Sequence, residues 1–108
     1  MEHKSKYEVI DELTAEVLGL MEDLYQSGFD TVHDATLRDM KRAAELAGQY
    51  GCFGLAELLS GLYDGISLSR HQMEKQPGRL AQLYVKINEY LYLCRQKTAY
   101  DRGLDYYS

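Results

Sequence analysis

Between Leu80 and Cys94, the apolar residues Leu80, Leu83, Tyr84, Ile87, Leu91 and Cys94 recur at the three-and-four spacing of one helical face. A helix patterned this way has to bury that face. Ala81, Val85 and Tyr92 form a second apolar shoulder, read as about a quarter turn away at ~100° per residue. The segment is therefore expected to face more than one neighbour, which points to a helical bundle.

Three further segments carry the same period. The first runs from about Lys6 to Ser27, with Ile10, Leu13, Val17, Leu20, Met21 and Leu24 on one stripe and Glu8, Glu12 and Glu16 opposite, read as a solvated row. Gly28 ends it, since glycine tolerates the left-handed conformation that follows many helices. A connection from Phe29 to Thr36 offers Asp34 or Thr36 as the cap of the second helix. That helix spans about Ala35 to Tyr50, turns Leu37, Met40, Ala44 and Ala47 inward, and stops at Gly51. Its small inward residues imply close packing.

The third segment runs from near Phe53 to about Arg70, with Leu55, Leu58, Leu59, Leu62 and Ile66 inward and Gly54, Gly61 and Gly65 interrupting it. Each interior glycine costs ~1 kcal/mol against alanine, so tertiary contacts have to hold this helix. Gly61 and Gly65 share a face on which a neighbouring backbone can approach. The clearest break is Lys75-Gln76-Pro77-Gly78, with Pro77 suited to the first position of the fourth helix. That helix is expected to fade near Tyr100. Residues 101–108, which include Gly103, Tyr106 and Tyr107, read as an aromatic tail following a single domain over residues 1–100.

At 108 residues the chain is long enough for one independent core. Cys52 and Cys94 form no CxxC pair and read as reduced thiols of a cytoplasmic protein. The N-terminal region lacks the apolar core of a secretion signal, and no run of about 18 apolar residues suggests a membrane span. Charge is polarised. Residues 1–35 carry nine acids against Lys4 and Lys6, whereas residues 70–108 carry seven bases against four acids. This arrangement helps antiparallel neighbours or a second subunit choose orientation. The net charge of −5 and the lack of a concentrated basic patch argue against nucleic-acid binding.

Bundles often hold metals on acids and histidines from facing helices. Asp30-x-x-His33 and His71-x-x-Glu74 have a spacing that aligns side chains on one turn, which makes Asp30, His33, His71 and Glu74 the candidate metal ligands. Antiparallel connectivity sets His33 and His71 near one end. A di-iron site would need two Glu-x-x-His pairs, and the sequence contains none. A histidine-phosphotransfer hairpin is the other comparison, because Met40-Lys41, Gly48, Leu55, Ala56 and Leu58 loosely resemble one. In that family's His-x-x-Lys-Gly pattern, however, Arg38 stands at the phosphoacceptor and Arg42 at the glycine. Cys94 lacks a local base, Cys52 lacks an assigned histidine, and neither GxGxxG nor a Walker-type loop occurs. No catalytic residue and no cofactor are expected.

From Gly28 to Arg95, the cadence of Ser27-Gly28-Phe29, His33, Leu37, Ala43-Ala44, Ala47, Gly51, Leu55, Leu58-Leu59 and Leu62 resembles small bacterial helical domains that accompany SWIM zinc-finger proteins. The SWIM ligands, Cys-x-Cys followed by Cys-x-His, are missing, so no zinc or nucleic-acid role transfers. The resemblance implies an accessory or interaction protein.

The expectation is an all-α, up-and-down bundle of four helices, more consistent with an interaction module than with an enzyme. The wide apolar arc of the fourth helix suggests a homodimer or another protein partner, with Val85, Tyr92, Tyr100, Tyr106 and Tyr107 as its anchors. A metal- or small-molecule-binding bundle using His33 and His71, or a degenerate phosphotransfer-like domain, is the alternative.

Overall fold

The structure is a computed structural model. It describes the backbone of residues 5–29, 31–71 and 77–107, and the side chains among these apart from residues 6, 7, 70, 71, 77 and 98–107. Four helices follow in order: α1 (Lys6–Ser27), α2 (Asp34–Gln49), α3 (Phe53–His71) and α4 (Pro77–Tyr107). No strand occurs among the described residues. Each helix packs on two others, α1 on α2 and α4, and α3 on α2 and α4, while the diagonal pairs stay apart. With short connections between successive helices, this is an up-and-down four-helix bundle.

Local chemistry sets the boundaries. The Ser5 hydroxyl accepts a hydrogen bond from the Glu8 backbone N–H at 3.2 Å and caps α1. At the other end, the Gly28 N–H donates to the Leu24 carbonyl at 2.8 Å with φ at 78°, the region that favours glycine. Gly51, with φ at 82°, turns the chain between α2 and α3. His33, not Asp34 or Thr36, is the cap residue of α2, and its side chain makes no capping bond. Asp34 is already helical, and Thr36 is buried in the first turn.

The core draws on all four helices. Val17, Met21 and Leu24 of α1 meet Met40, Ala43 and Ala47 of α2, Leu59, Leu62 and Ile66 of α3, and Ile87 and Leu91 of α4. The alanines let α2 and α3 approach, to the point that a Cβ on Gly48 would sit 4.0 Å from that of Ala56. Thr14 enters the apolar layer with its hydroxyl donating to the Ile10 carbonyl at 2.7 Å, which removes the penalty of an unpaired polar group. Phe29, in the connection after α1, sets its ring edge-on to Tyr84 of α4 with centroids 6.4 Å apart.

Three further expectations need correction. Gly61 and Gly65 admit leucines rather than a neighbouring backbone: their built Cβ atoms would approach Leu83 and Leu80 side chains, the latter at 2.6 Å. Glu16 is not simply part of a solvated row, because Arg42 of α2 donates to its carboxylate at 2.7 Å, an ion pair between α1 and α2. Finally, α4 does not fade near Tyr100 but continues to Tyr107. At ~1.5 Å per residue its 31 residues span about 46 Å, against about 28 Å for the 19 of α3. Because Gly54 lies beside Tyr90, the last turns of α4 run on past the start of α3. No helix among the described residues is long and apolar enough to cross a membrane.

Candidate interaction surface

The histidines come first, because the bundle topology bears directly on them. Gly48 lies beside Ala56, and Lys41 and Ala44 share a shallow hollow with Ser60, Tyr63 and Asp64. α2 and α3 are therefore antiparallel in register, and the start of α2 and the end of α3 fall at one end of the bundle. His33 and His71 occupy those two positions. The His33 side chain is exposed, and its carbonyl accepts the Leu37 N–H at 3.2 Å. Asp30, Glu74 and the side chain of His71 lie outside the described residues. Among the described residues, no group of three or more His, Cys, Asp or Glu side chains is placed to hold a metal ion.

Position 38, where a phosphotransfer domain would carry its histidine, is solvent-exposed on α2. Its occupant is an arginine, which cannot accept a phosphoryl group there.

The outward side of α4 has a different character. Leu80, Ile87 and Leu91 point into the core, with Leu83, Tyr84 and Cys94 half-buried beside them. At ~100° per residue Ala81, Val85 and Tyr92 centre about 130° around the axis from the buried stripe, so the second shoulder lies nearer a third of a turn away than a quarter. No helix among the described residues covers it. Val85 is 51% exposed, Tyr92 63% and Leu93 62%, values that belong to water-facing side chains despite their apolar chemistry. Asn88, Glu89, Tyr92 and Leu93 line an open depression of about 480 Å³ on this face. The Tyr92 hydroxyl accepts a hydrogen bond from Gln96 Nε2 at 2.7 Å, which holds the ring along the helix. Tyr100, Tyr106 and Tyr107 continue the helical backbone, and their side chains lie outside the described residues.

A second feature was not anticipated from the sequence. Tyr90 of α4 is half-buried against the first turn of α3, where its ring lies over Gly54. Cys94 and the Leu55 backbone N–H lie close enough to the Tyr90 hydroxyl to influence its ionisation. Burial, reinforced by the charge that Cys94 and Cys52 would carry, pushes the Tyr90 phenol above its ordinary range. Burial likewise pushes the Cys94 thiol up, with Cys52 adding to the shift and the Tyr90 hydroxyl and Lys97 opposing it. Both groups therefore hold their protons at neutral pH. Neither Cys52 nor Cys94 is in a disulfide in this structure.

No family model, curated protein or solved structure matches the chain.

Proposed function

We propose that this protein is a non-catalytic interaction module that pairs with a second copy of itself through the outward face of α4. The observation behind this reading is the uncovered apolar stripe Val85, Tyr92 and Leu93 on a helix whose opposite face is buried. Contiguous exposed apolar residues rimmed by polar ones mark association sites, and tyrosine is a favoured anchor.

The stripe is self-complementary. Consider two copies of α4 packed antiparallel about a two-fold axis passing between Asn88 and Glu89. Val85 then meets the partner's Tyr92, and Asn88 the partner's Glu89, which can accept from the amide. An isologous antiparallel pair satisfies the symmetry of a two-fold dimer. A standard interface takes about 800 Å² from each partner, roughly a tenth of the 7553 Å² surface of this chain. The accessory role implied by the SWIM-associated resemblance accords with such a module.

Sedimentation equilibrium at tens of micromolar tests the reading. The expected outcome is a dimer for the unaltered chain and a monomer for both Val85→Glu and Tyr92→Glu, with helical circular dichroism retained in each. A monomer for the unaltered chain, or a dimer indifferent to both substitutions, overturns it.

A further inference from the structure

Asp11, Ala15, Leu18, Glu22 and Tyr25 recur along α1 at intervals of four, three, four and three, and so form one stripe. The stripe carries a projection at one end and a depression at the other. Tyr25 is 81% exposed, the highest value among the exposed large apolar side chains of the described residues. Asp11, Ala15 and Leu18, with Arg95 of α4, line an open hollow of about 410 Å³ on the seam between the two helices. Arg95 lies three residues past Tyr92, about 60° from it around α4, so the hollow opens beside the face that carries Val85 and Tyr92. Asp11 and Arg95 are level across the seam, and α1 runs antiparallel to α4. Leu18, seven residues on, is therefore level with Asn88, seven residues back. The two-fold axis that pairs Val85 with the partner's Tyr92 passes between Asn88 and Glu89, and so also passes beside Leu18, the midpoint of the α1 stripe. The self-complementary stretches of α1 and α4 are centred at one level.

We infer that Tyr25 of each copy seats in the α1–α4 hollow of the other, so that the dimer interface extends from α4 onto α1. The inference rests on the proposed pairing of two copies through α4. Rotation about the axis carries Tyr25, seven residues past Leu18, onto the partner's Asp11, seven residues before the partner's Leu18. A helical side chain leans over the turn that precedes it, which brings the ring from the level of the partner's Asp11 towards that of the partner's Ala15. There the partner's Leu18 supplies apolar contact, the small Ala15 leaves room for a ring, and the Arg95 guanidinium can lie over the ring face. Glu22, one turn before Tyr25, arrives beside the partner's Ala15 and within one turn of the partner's Arg95, where opposite charges favour this register. Each copy gives one tyrosine and receives one, as an isologous interface requires.

Sedimentation equilibrium on variants, with Val85→Glu as the reference, tests it. Tyr25 and Ala15 are exposed, so Tyr25→Ala and Ala15→Gln leave the bundle core intact. Each is expected to raise the dimer dissociation constant about tenfold or more, because the loss of an anchoring aromatic, or of its socket, is felt twice per dimer. With p-benzoylphenylalanine in place of Tyr25, irradiation is expected to join two chains between that position and residues 11–18 or the turn around Arg95. If Val85→Glu dissociates the dimer while Tyr25→Ala and Ala15→Gln leave its constant unchanged, or if the link falls elsewhere, the tyrosine contact is overturned and the α4 pairing stands. A monomeric unaltered chain overturns both.

Discussion

The ring of Tyr90 occupies the space that a side chain at Gly54 would need: a Cβ built there lies 2.7 Å from Cε2 and 3.3 Å from both Cζ and the hydroxyl oxygen. The contact joins residues on two helices through the absence of an atom. It ties the start of α3 to α4.

Gly54→Ala is therefore expected to destabilise the bundle by about 1–3 kcal/mol, the usual cost of overpacking, because a rigid ring has to move. Gly65→Ala is the informative contrast. There the obstructing atom is the tip of Leu80, at 2.6 Å, and a leucine can change rotamer at about 0.5–1.5 kcal/mol while the helix gains ~1 kcal/mol in propensity. Urea unfolding should show a marked loss for the first variant and little change for the second. Equal losses would mean that the Tyr90 ring is no more constrained than the Leu80 side chain.

Gly28 and Gly51 are expected to resist replacement for a different reason. Neither has an atom within 4 Å of a built Cβ, but their φ angles of 78° and 82° place them where other residues pay about 1–2 kcal/mol. Gly19, in the interior of α1 and equally unobstructed, has no such requirement. Alanine at position 19 should raise the thermal midpoint, by about 4–8 °C for each ~1 kcal/mol gained, whereas alanine at 28 or 51 should lower it. Calorimetry on the three single variants separates backbone conformation from crowding.

Alkaline pH should unfold the protein in part through the Tyr90 and Cys94 pair. Both hold their protons more tightly folded than unfolded. Their stabilising contribution is therefore complete below the ordinary thiol and phenol values of 9.0 and 10.0, and is lost as pH rises from those values through the higher folded ones. Tyr90→Phe removes the phenol from this balance. Its unfolding free energy should fall less steeply than that of the unaltered chain above pH ~10. Parallel pH profiles would place the alkaline transition elsewhere.

Much of the fold could be read along the chain because its punctuation is strong. Gly28, Gly51 and Pro77 mark the helix boundaries, and the apolar stripes of α1 and α4 are regular enough to identify their buried faces. At the end of α4, Asp101 and Gly103 weaken the pattern without stopping the helix, which continues to Tyr107. The Ser5 cap was equally local, a serine three residues before Glu8, and could have been recognised. The apolar shoulder at Val85 and Tyr92 was visible, but that it stays exposed was not. The link between Arg42 and Glu16, and the meeting of Tyr90 with Gly54, depend on how helices are offset along their axes. One-dimensional spacing does not encode that offset. The same holds for the histidines: chain order brings positions 33 and 71 to one end, while ligation would require side-chain directions that spacing leaves open.

The square arrangement of the helices also bears on how the chain finds its native state. Three of the four packed pairs join helices that follow one another, and each can form as a hairpin closed by a short connection. Only the seam between α1 and α4 has to bring together segments from opposite ends of the fold. Contacts of this mostly local kind favour rapid folding, since little loop entropy is surrendered before packing begins. The search is thus divided into neighbouring pairs, with a single long-distance closure to complete the ring.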